Sequence, residues 1–305
     1  MLGPVIREFE ERDADEASGL IAEHSPWFST PAGVVHRERS VPPRAHRRSW
    51  VAEEGGRVVA FAEAEFEWFT ERDDVGALWV IVHPERRRQG IGSALFEDGA
   101  AHLTAHGARE LRTWAEEDGA AFVEHRGFTA SRQERISALD PAEVDTSRAH
   151  DLPDGVTVVP LSELQGRLPE VHALYAEASA DMPADHAESN IPLDEWLEET
   201  IGDPNLDHDA SVVVLVDDEP AALSWVYVDD RHDRADHDLT GTARRFRRRG
   251  LARIAKLALI ERVAARGVRT LTTENDSTNV GMLAINDELG FRPYAVMTEW
   301  VKHLE

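Results

Sequence analysis

The chain contains the same stretch twice. RRQGIG, Arg87–Gly92, and RRRGLA, Arg247–Ala252, align without gaps at an offset of 160 residues (247 − 87). The same offset pairs Gly107 with Gly267, Arg109 with Arg269, Leu111 with Leu271 and Thr113 with Thr273, and Gly127-Phe128 answers Gly290-Phe291 after a slip of three. Ordered matches over about 40 residues mark a duplicated unit that cannot be a single irregular domain. The length of 305 residues agrees, being that of two ordinary domains. Periodicity fails in the polar, acidic stretch from Leu139 to Gly155, which carries Pro141 and Pro153, so the expected division is 1–148 and 149–305.

Within each copy the elements follow the same order. RSWVAEE and RVVAFAEAEF read as strands about Gly55-Gly56, and the apolar run Ala77–Val82 is a buried strand stopped by Pro84. In the second copy SVVVLVDDEPAALSWVYV gives two strands, and DLTGT leads into the arginine cluster. After each glycine turn the spacing becomes helical, clearest at Leu251, Ile254, Ala255, Ala258, Leu259 and Val263, and Gly267 closes the helix as a C-cap. A strand, a second helix and a last strand from the Gly-Phe pair complete the copy. The fold class expected is α/β, with two tandem domains, each a mixed and mostly antiparallel sheet flanked by helices.

A strand running into arginines and a glycine turn that opens a helix converges unpaired N–H groups and the positive helix end on one point, which suits a phosphate. Gly90 and Gly250 allow close backbone approach, and Gly92 and Ala252 keep the first helical turn slim. Neither turn ends in Gly-Lys-Ser/Thr, and neither carries the third glycine of a dinucleotide fingerprint. The arginines gathered there stand out because the chain sums 33 basic against 58 acidic residues, a net −25, which disfavours nucleic acid and anionic lipid as partners. Lysine occurs only at 256 and 302, so 31 of the 33 basic residues are arginine. With no cysteine there is no disulfide, thiolate nucleophile or Cys-bound zinc. The acidic start MLGPVIREFEERDADE is not a secretory signal, and no apolar run reaches the roughly 18 residues of a membrane span. A cytoplasmic monomer or homodimer is expected.

HPERRRQGIGSAL and RRFRRRGLARIAK, each with a Gly-Phe pair about 40 residues later, resemble the acetyl-CoA signature of the GCN5-related N-acetyltransferases (GNAT). TENDSTNVGMLAINDELGF is similar to a stretch of tandem-domain members of mycothiol-synthase-like architecture. The resemblance implies two acyl-CoA N-acyltransferase folds using acetyl-CoA, with no metal. CoA contacts are then expected at Val80, Val82, Arg87, Arg88, Gln89, Gly90, Ile91, Gly92 and Ser93 in the first copy. In the second they are expected at Thr240, Thr242, Arg247, Arg248, Arg249, Gly250, Leu251 and Ala252, with Asn279 near the pantetheine or acetyl group.

The resemblance also separates the copies. A carboxylate base often stands 14 residues before the first glycine of the turn, a position held by Asp236 in the second copy and Gly76 in the first. Asp238 would share a strand face with Asp236, and His237 would point away. The usual acid, a tyrosine four residues before the Gly of the Gly-Phe pair, is replaced by Asn286 and Val123, which leaves Tyr294 as a substitute. Where the second copy keeps Asn279, the first has Glu116. The second domain is therefore the expected catalyst. Glu63, Glu65 and Glu67 alternate on one strand face and read as solvated charges or, less readily, as an ammonium site. The mixed run Asp229–Asp238 reads as an acidic hairpin, since Arg231 and Arg234 would compete with a cation. Trp225 and Tyr227 are candidates for an acceptor pocket. Three functions follow: direct acetylation of a small, cationic primary amine; CoA binding as a sensor without turnover; and acetylation of a sugar–cysteine conjugate.

Overall fold

The pattern of apolar spacing and glycine turns resolves, in a computed structural model, into twelve strands and eight helices among the described residues, 3–182 and 191–304. The first half runs β1 (Val5–Glu8), α1 (Ala14–His24), α2 (Pro31–Ser40), β2 (Arg48–Glu54), β3 (Arg57–Phe66), β4 (Val75–Val82), α3 (Ile91–Ala105), β5 (Glu110–Ala115), α4 (Ala120–Glu124) and β6 (Thr129–Leu139). The second runs β7 (Val156–Pro160), α5 (Leu168–Ser179), α6 (Leu193–Trp196), β8 (Val212–Val216), β9 (Glu219–Asp229), β10 (Arg234–Thr242), α7 (Leu251–Ala265), β11 (Thr270–Asp276), α8 (Val280–Leu289) and β12 (Arg292–His303). The duplication extends to hydrogen bonds. α3 and α7 are both 15 residues long and begin at 91 and 251. Ala108 N donates to Leu103 O as Val268 N donates to Val263 O, and Phe128 N to Val123 O as Phe291 N to Asn286 O.

By packing, the chain forms two compact units, Met1–Glu134 with Ala295–Glu305, and Arg135–Tyr294. The division differs from one at the polar stretch near residue 150: residues 135–148 pack in the second unit and the chain's last residues in the first. The physical reason is strand pairing, for β12 hydrogen-bonds antiparallel to β5 from Thr298↔Ala115 to His303↔Glu110. In the first unit the order is β1-β2-β3-β4-β5-β12, antiparallel except for β4 and β5. Strand alternation sends Val51, Phe61 and Ile81 toward α1, with Ala17, Leu20 and Ile21, while Trp50, Ala60, Ala62 and Ala64 join the core around Leu95 and Leu103 of α3. The alanines match the slim face of α3, where a Cβ on Gly99 would lie 3.5 Å from Ala64 Cβ.

In the second unit β7-β8-β9-β10-β11 repeat the order, again with one parallel pair, β10 and β11. The unbroken run of β8, Val212–Val216, is buried on both faces, which is why it does not alternate. α5 packs tightly on β10, so a Cβ on Gly241 would overlap the Ala178 Cβ. Gly241→Ala is expected to destabilise the protein by about 1–3 kcal/mol, lowering the thermal midpoint by several degrees. Gly19→Ala, in open space within α1, is expected to raise it slightly. Thermal denaturation followed by circular dichroism compares the two.

Candidate active site

Each parallel strand pair is short and then parts. β4 and β5 stay in register only from Val75↔Glu110 to Ala77↔Arg112, and β10 and β11 only from Arg234↔Thr270 to His237↔Thr273. In the first unit a cleft of about 620 Å³ opens beyond the last pair. It is lined by Trp79, Val80 and Val82 of β4, by Thr113, Trp114 and Ala115 of β5, and by Arg87, Arg88, Gly90, Gly92 and Ser93 around the turn. Phe96, Phe122 and Val123 make its apolar floor, and Arg126 bridges α4 to the turn by donating to Ser93 Oγ at 2.7 Å.

The two glycine turns share one conformation. Arg88 and Arg248 both have φ of 62°, and Gly90 and Gly250 have φ of 86° and 76°. Arg87 Nε donates to Val82 O at 3.1 Å, and Arg247 Nε to Thr242 O at 3.2 Å. Nothing lies within 4 Å of a Cβ built on either glycine, so left-handed backbone, not crowding, demands glycine there. Exposed N–H groups and arginines at each helix start can receive a pyrophosphate. Of the other residues expected there, Gln89 is exposed and donates to Glu85 O, Ile91 and Leu251 are buried core, Ala252 is half-buried, and Arg249 lies over the Phe246 ring. Asp181 holds Arg244 at 2.8 Å and also pairs with Arg247, and those hydrogen bonds pull its carboxyl down to about 2.

Asp236 is half-buried on β10 and accepts from Thr272 Oγ1 at 2.7 Å. Burial raises its carboxyl above the ordinary range, against the Thr272 hydrogen bond and the Arg234 charge. The register between β9 and β10 shifts between His237 and Thr240, and Asp238 is exposed, so the two aspartates differ more in environment than simple alternation predicts. His237 points into the interior, its Nε2 bonded to Ser224 Oγ at 2.8 Å and Thr240 Oγ1 at 2.7 Å, and burial keeps it neutral. Thr240 is thus committed to this hydroxyl network. Asn279 caps α8 by accepting from Met282 N at 3.2 Å. Asn286 is buried, and Tyr294 is 54% exposed. Trp225 is buried and stacks on Tyr175 at 5.2 Å, while Tyr227 is half-buried near Asp238, Glu199 and Asp203, which with burial raise its phenol. In the hairpin run, Asp229 closes its own turn by accepting from Arg231 N at 3.0 Å and pairing with His232 at 2.6 Å.

Two residues missed from the sequence reshape the comparison. Arg47, buried, binds Glu63 at 2.6 Å, Glu65 at 2.8 Å and Glu38 at 2.9 Å. The carboxylates of β3 are neither solvated nor open to an ammonium; an internal guanidinium satisfies them. Glu67 lies past the end of β3, 3.9 Å from Arg112, and burial lifts its carboxyl to about 7. The second missed residue is Lys256, wholly buried on α7, and its scarcity in an arginine-rich chain was the available signal.

Family models match both halves, one described as acetyltransferase (GNAT) domain over residues 45–130 and one as acetyltransferase (GNAT) family over residues 171–291. The chain belongs to the GNAT acetyltransferases and carries two such domains in tandem. It is an acyltransferase using acetyl-CoA as co-substrate. The mycothiol acetyltransferase of Streptomyces bingchenggensis is 28% identical over 249 residues, covering 79% of this chain and 76% of that one. That of a Nocardioides species is 26% identical over 258 residues, covering 80% and 81%. In fold, a tandem GNAT protein from the clavulanic acid biosynthesis pathway aligns with a TM-score of 0.77 at 22% identity over 98% of both chains. A GCN5-related N-acetyltransferase from Sphaerobacter thermophilus aligns with 0.70 at 18% identity, over 98% of this chain and 95% of that one. The tandem duplication and the fold expected from the sequence are thereby established. No helix among the described residues is long and apolar enough to cross a membrane.

Removing the guanidinium in Arg47→Met strands three carboxylates and is expected to cost about 3–5 kcal/mol in denaturant unfolding. Because the folded Glu67 carboxyl titrates near 7, above its unfolded value, its contribution is lost as pH rises through that point. The stability of Glu67→Gln relative to the parent is therefore expected to improve by about 1 kcal/mol between roughly pH 6 and pH 8.5.

Proposed function

We propose that the second unit transfers the acetyl group from acetyl-CoA directly to a primary amine of a small cationic molecule, and that the first holds CoA without turnover. The observation that carries this is Asp236, a half-buried carboxylate of raised proton affinity on the strand that leads to the second glycine turn, where the first unit has only Gly76. Attack by a neutral amine on a thioester leaves a proton to be accepted, and a carboxylate whose affinity is raised by burial accepts it better than a solvated one. In this reading Gly250, Arg247 and Arg248 receive the pyrophosphate and Tyr227, Asp238 and Glu199 face the acceptor, their negative potential favouring a cation.

In the first unit the turn and cleft are retained, but Arg47 neutralises Glu63 and Glu65 of β3, and Glu116, a carboxylate that lines the cleft, stands on the loop after β5 and not on the strand that leads to the turn. A second acceptor class, a sugar–cysteine conjugate, is favoured by the relatives named mycothiol acetyltransferases. An acyl-enzyme on cysteine has no place in this reading, since the chain has no cysteine.

Purified protein with acetyl-CoA, screened against primary amines and a cysteinyl sugar conjugate for amine-dependent thiol release, tests the reading. Binding of CoA without release in any arm would leave the sensor function in its place. Gly250→Val is expected to lower activity at least about tenfold more than Gly90→Val, because β-branching opposes the left-handed φ at the working turn. Asp236→Asn is expected to lower kcat by about 10²–10⁴ while acetyl-CoA binding by calorimetry persists.

A further inference from the structure

The second unit buries a chain of polar groups that the first lacks. Lys256 is 0% exposed, and its Nζ donates to Asn286 Oδ1 at 2.6 Å. Asn286 Nδ2 donates in turn to Asn275 Oδ1 at 2.5 Å. Asn275 lies on β11 two residues beyond the last pair with β10, where the strands have parted. Lys256 Nζ also sits 5.2 Å from the centroid of the Phe291 ring and 3.9 Å from Met282 Sδ.

The internal repeat shows what these positions are for. Lys256 and Asn275 correspond at the offset of 160 to Phe96 and Ala115, and Asn286 corresponds to Val123 through the shared bond to the Gly-Phe pair. Phe96, Ala115 and Val123 all line the cleft of the first unit. Positions that are apolar and line the cleft in one copy thus hold an ammonium and two amides in the other. A buried cation without a carboxylate partner is costly, and packing needs only a hydrocarbon, as Phe96 demonstrates. The residue type is also informative: 31 of 33 basic positions are arginine, yet this one is the base able to lose its proton.

We infer that Lys256 is a positioning residue for acetyl transfer in the second unit, presenting positive charge through Asn286 and Asn275 to the thioester as the amine displaces the thiol. The inference rests on the reading that this unit acetylates. As the amine nitrogen bonds to the carbonyl carbon, the carbon–sulfur bond breaks and its electron pair leaves on sulfur; the amine proton passes to Asp236. Negative charge develops on the carbonyl oxygen and then on sulfur, and amide donors polarised by an ammonium stabilise it before the thiolate departs. Nothing in the chain of bonds requires proton transfer through the amides.

Burial alone lowers the Lys256 ammonium to about 7. From β10 it is faced by His237, which is held neutral; from α8 by Asn286 and Met282; and from the residue before β12 by Phe291. Positive charge is therefore present below about 7 and lost above it, so kcat should fall on an alkaline limb set by this amine.

The native side chain can be observed directly, because Lys302→Arg leaves Lys256 as the single lysine. In that protein, with Gly90→Val added to confine binding to the second unit, ¹⁵N-lysine NMR follows the titration with CoA and with desulfo-CoA, and calorimetry reports binding of each. CoA is expected to raise the Lys256 midpoint by about one unit more than desulfo-CoA, a tenfold change in ionisation. Binding of both with equal midpoints overturns the inference and leaves the acetylation reading standing. Failure of CoA to bind in this background, when the parent binds it, overturns that reading and the inference with it. In kinetics, Lys256→Met is expected to lower kcat about tenfold, keep KM for acetyl-CoA within about twofold and abolish the alkaline limb. Retention of both kcat and the limb contradicts the role.

Discussion

Parallel pairing that stops after three or four residues is the constraint on which each unit depends. A β-sheet satisfies its backbone through its neighbours, so strands that part must have their polar groups answered by something else. Here the parting is stabilised on one side by a helix whose N-terminus faces the gap, and on the other by further sheet. The glycine turn makes this geometry possible because Arg88 and Gly90, and again Arg248 and Gly250, reverse the chain with positive φ before α3 and α7 begin. A helix start able to receive an anion is thus a by-product of how a strand is joined to a helix.

Duplication lets each unit serve as a control for the other. The backbone of the turns and their Arg-to-carbonyl bonds are alike. What differs is where charge is buried. In the first unit Arg47 lies among three glutamates and Arg112 beside Glu110 at 2.7 Å, and a half-buried carboxylate, Glu67, is left loosely paired 3.9 Å from Arg112. The second buries Asp236 next to a hydroxyl and Lys256 next to an amide, partners that leave the charge only partly compensated. Partly compensated groups retain proton affinities displaced toward neutrality, which is the condition for useful acid–base chemistry.

Much of this was legible in the chain. The offset of 160 located both turns, both following helices and the strands beyond, and the helix stop at Gly267 is where the φ of 91° falls. The glycine and arginine positions were readable because local backbone geometry dictates residue type there. Asp236 was legible as a position on the strand before the turn, but its burial and its bond to Thr272 were not. The partners were not readable. Arg47 meets Glu63 and Glu65 across neighbouring strands, Lys256 meets Asn286 across 30 residues, and Asn279 turned out to cap a helix.

By itself the sequence determined the number of units, their common fold, the two glycine turns and the lack of any cysteine, because each is encoded within a few neighbouring residues or in composition. Only tertiary structure decided which charges are neutralised internally and that the chain's last strand joins the first unit. It also placed a lysine amine where the other copy keeps a phenylalanine ring. Burial and pairing are properties of what surrounds a side chain, and those surroundings come from segments far apart in the chain, which no local pattern records.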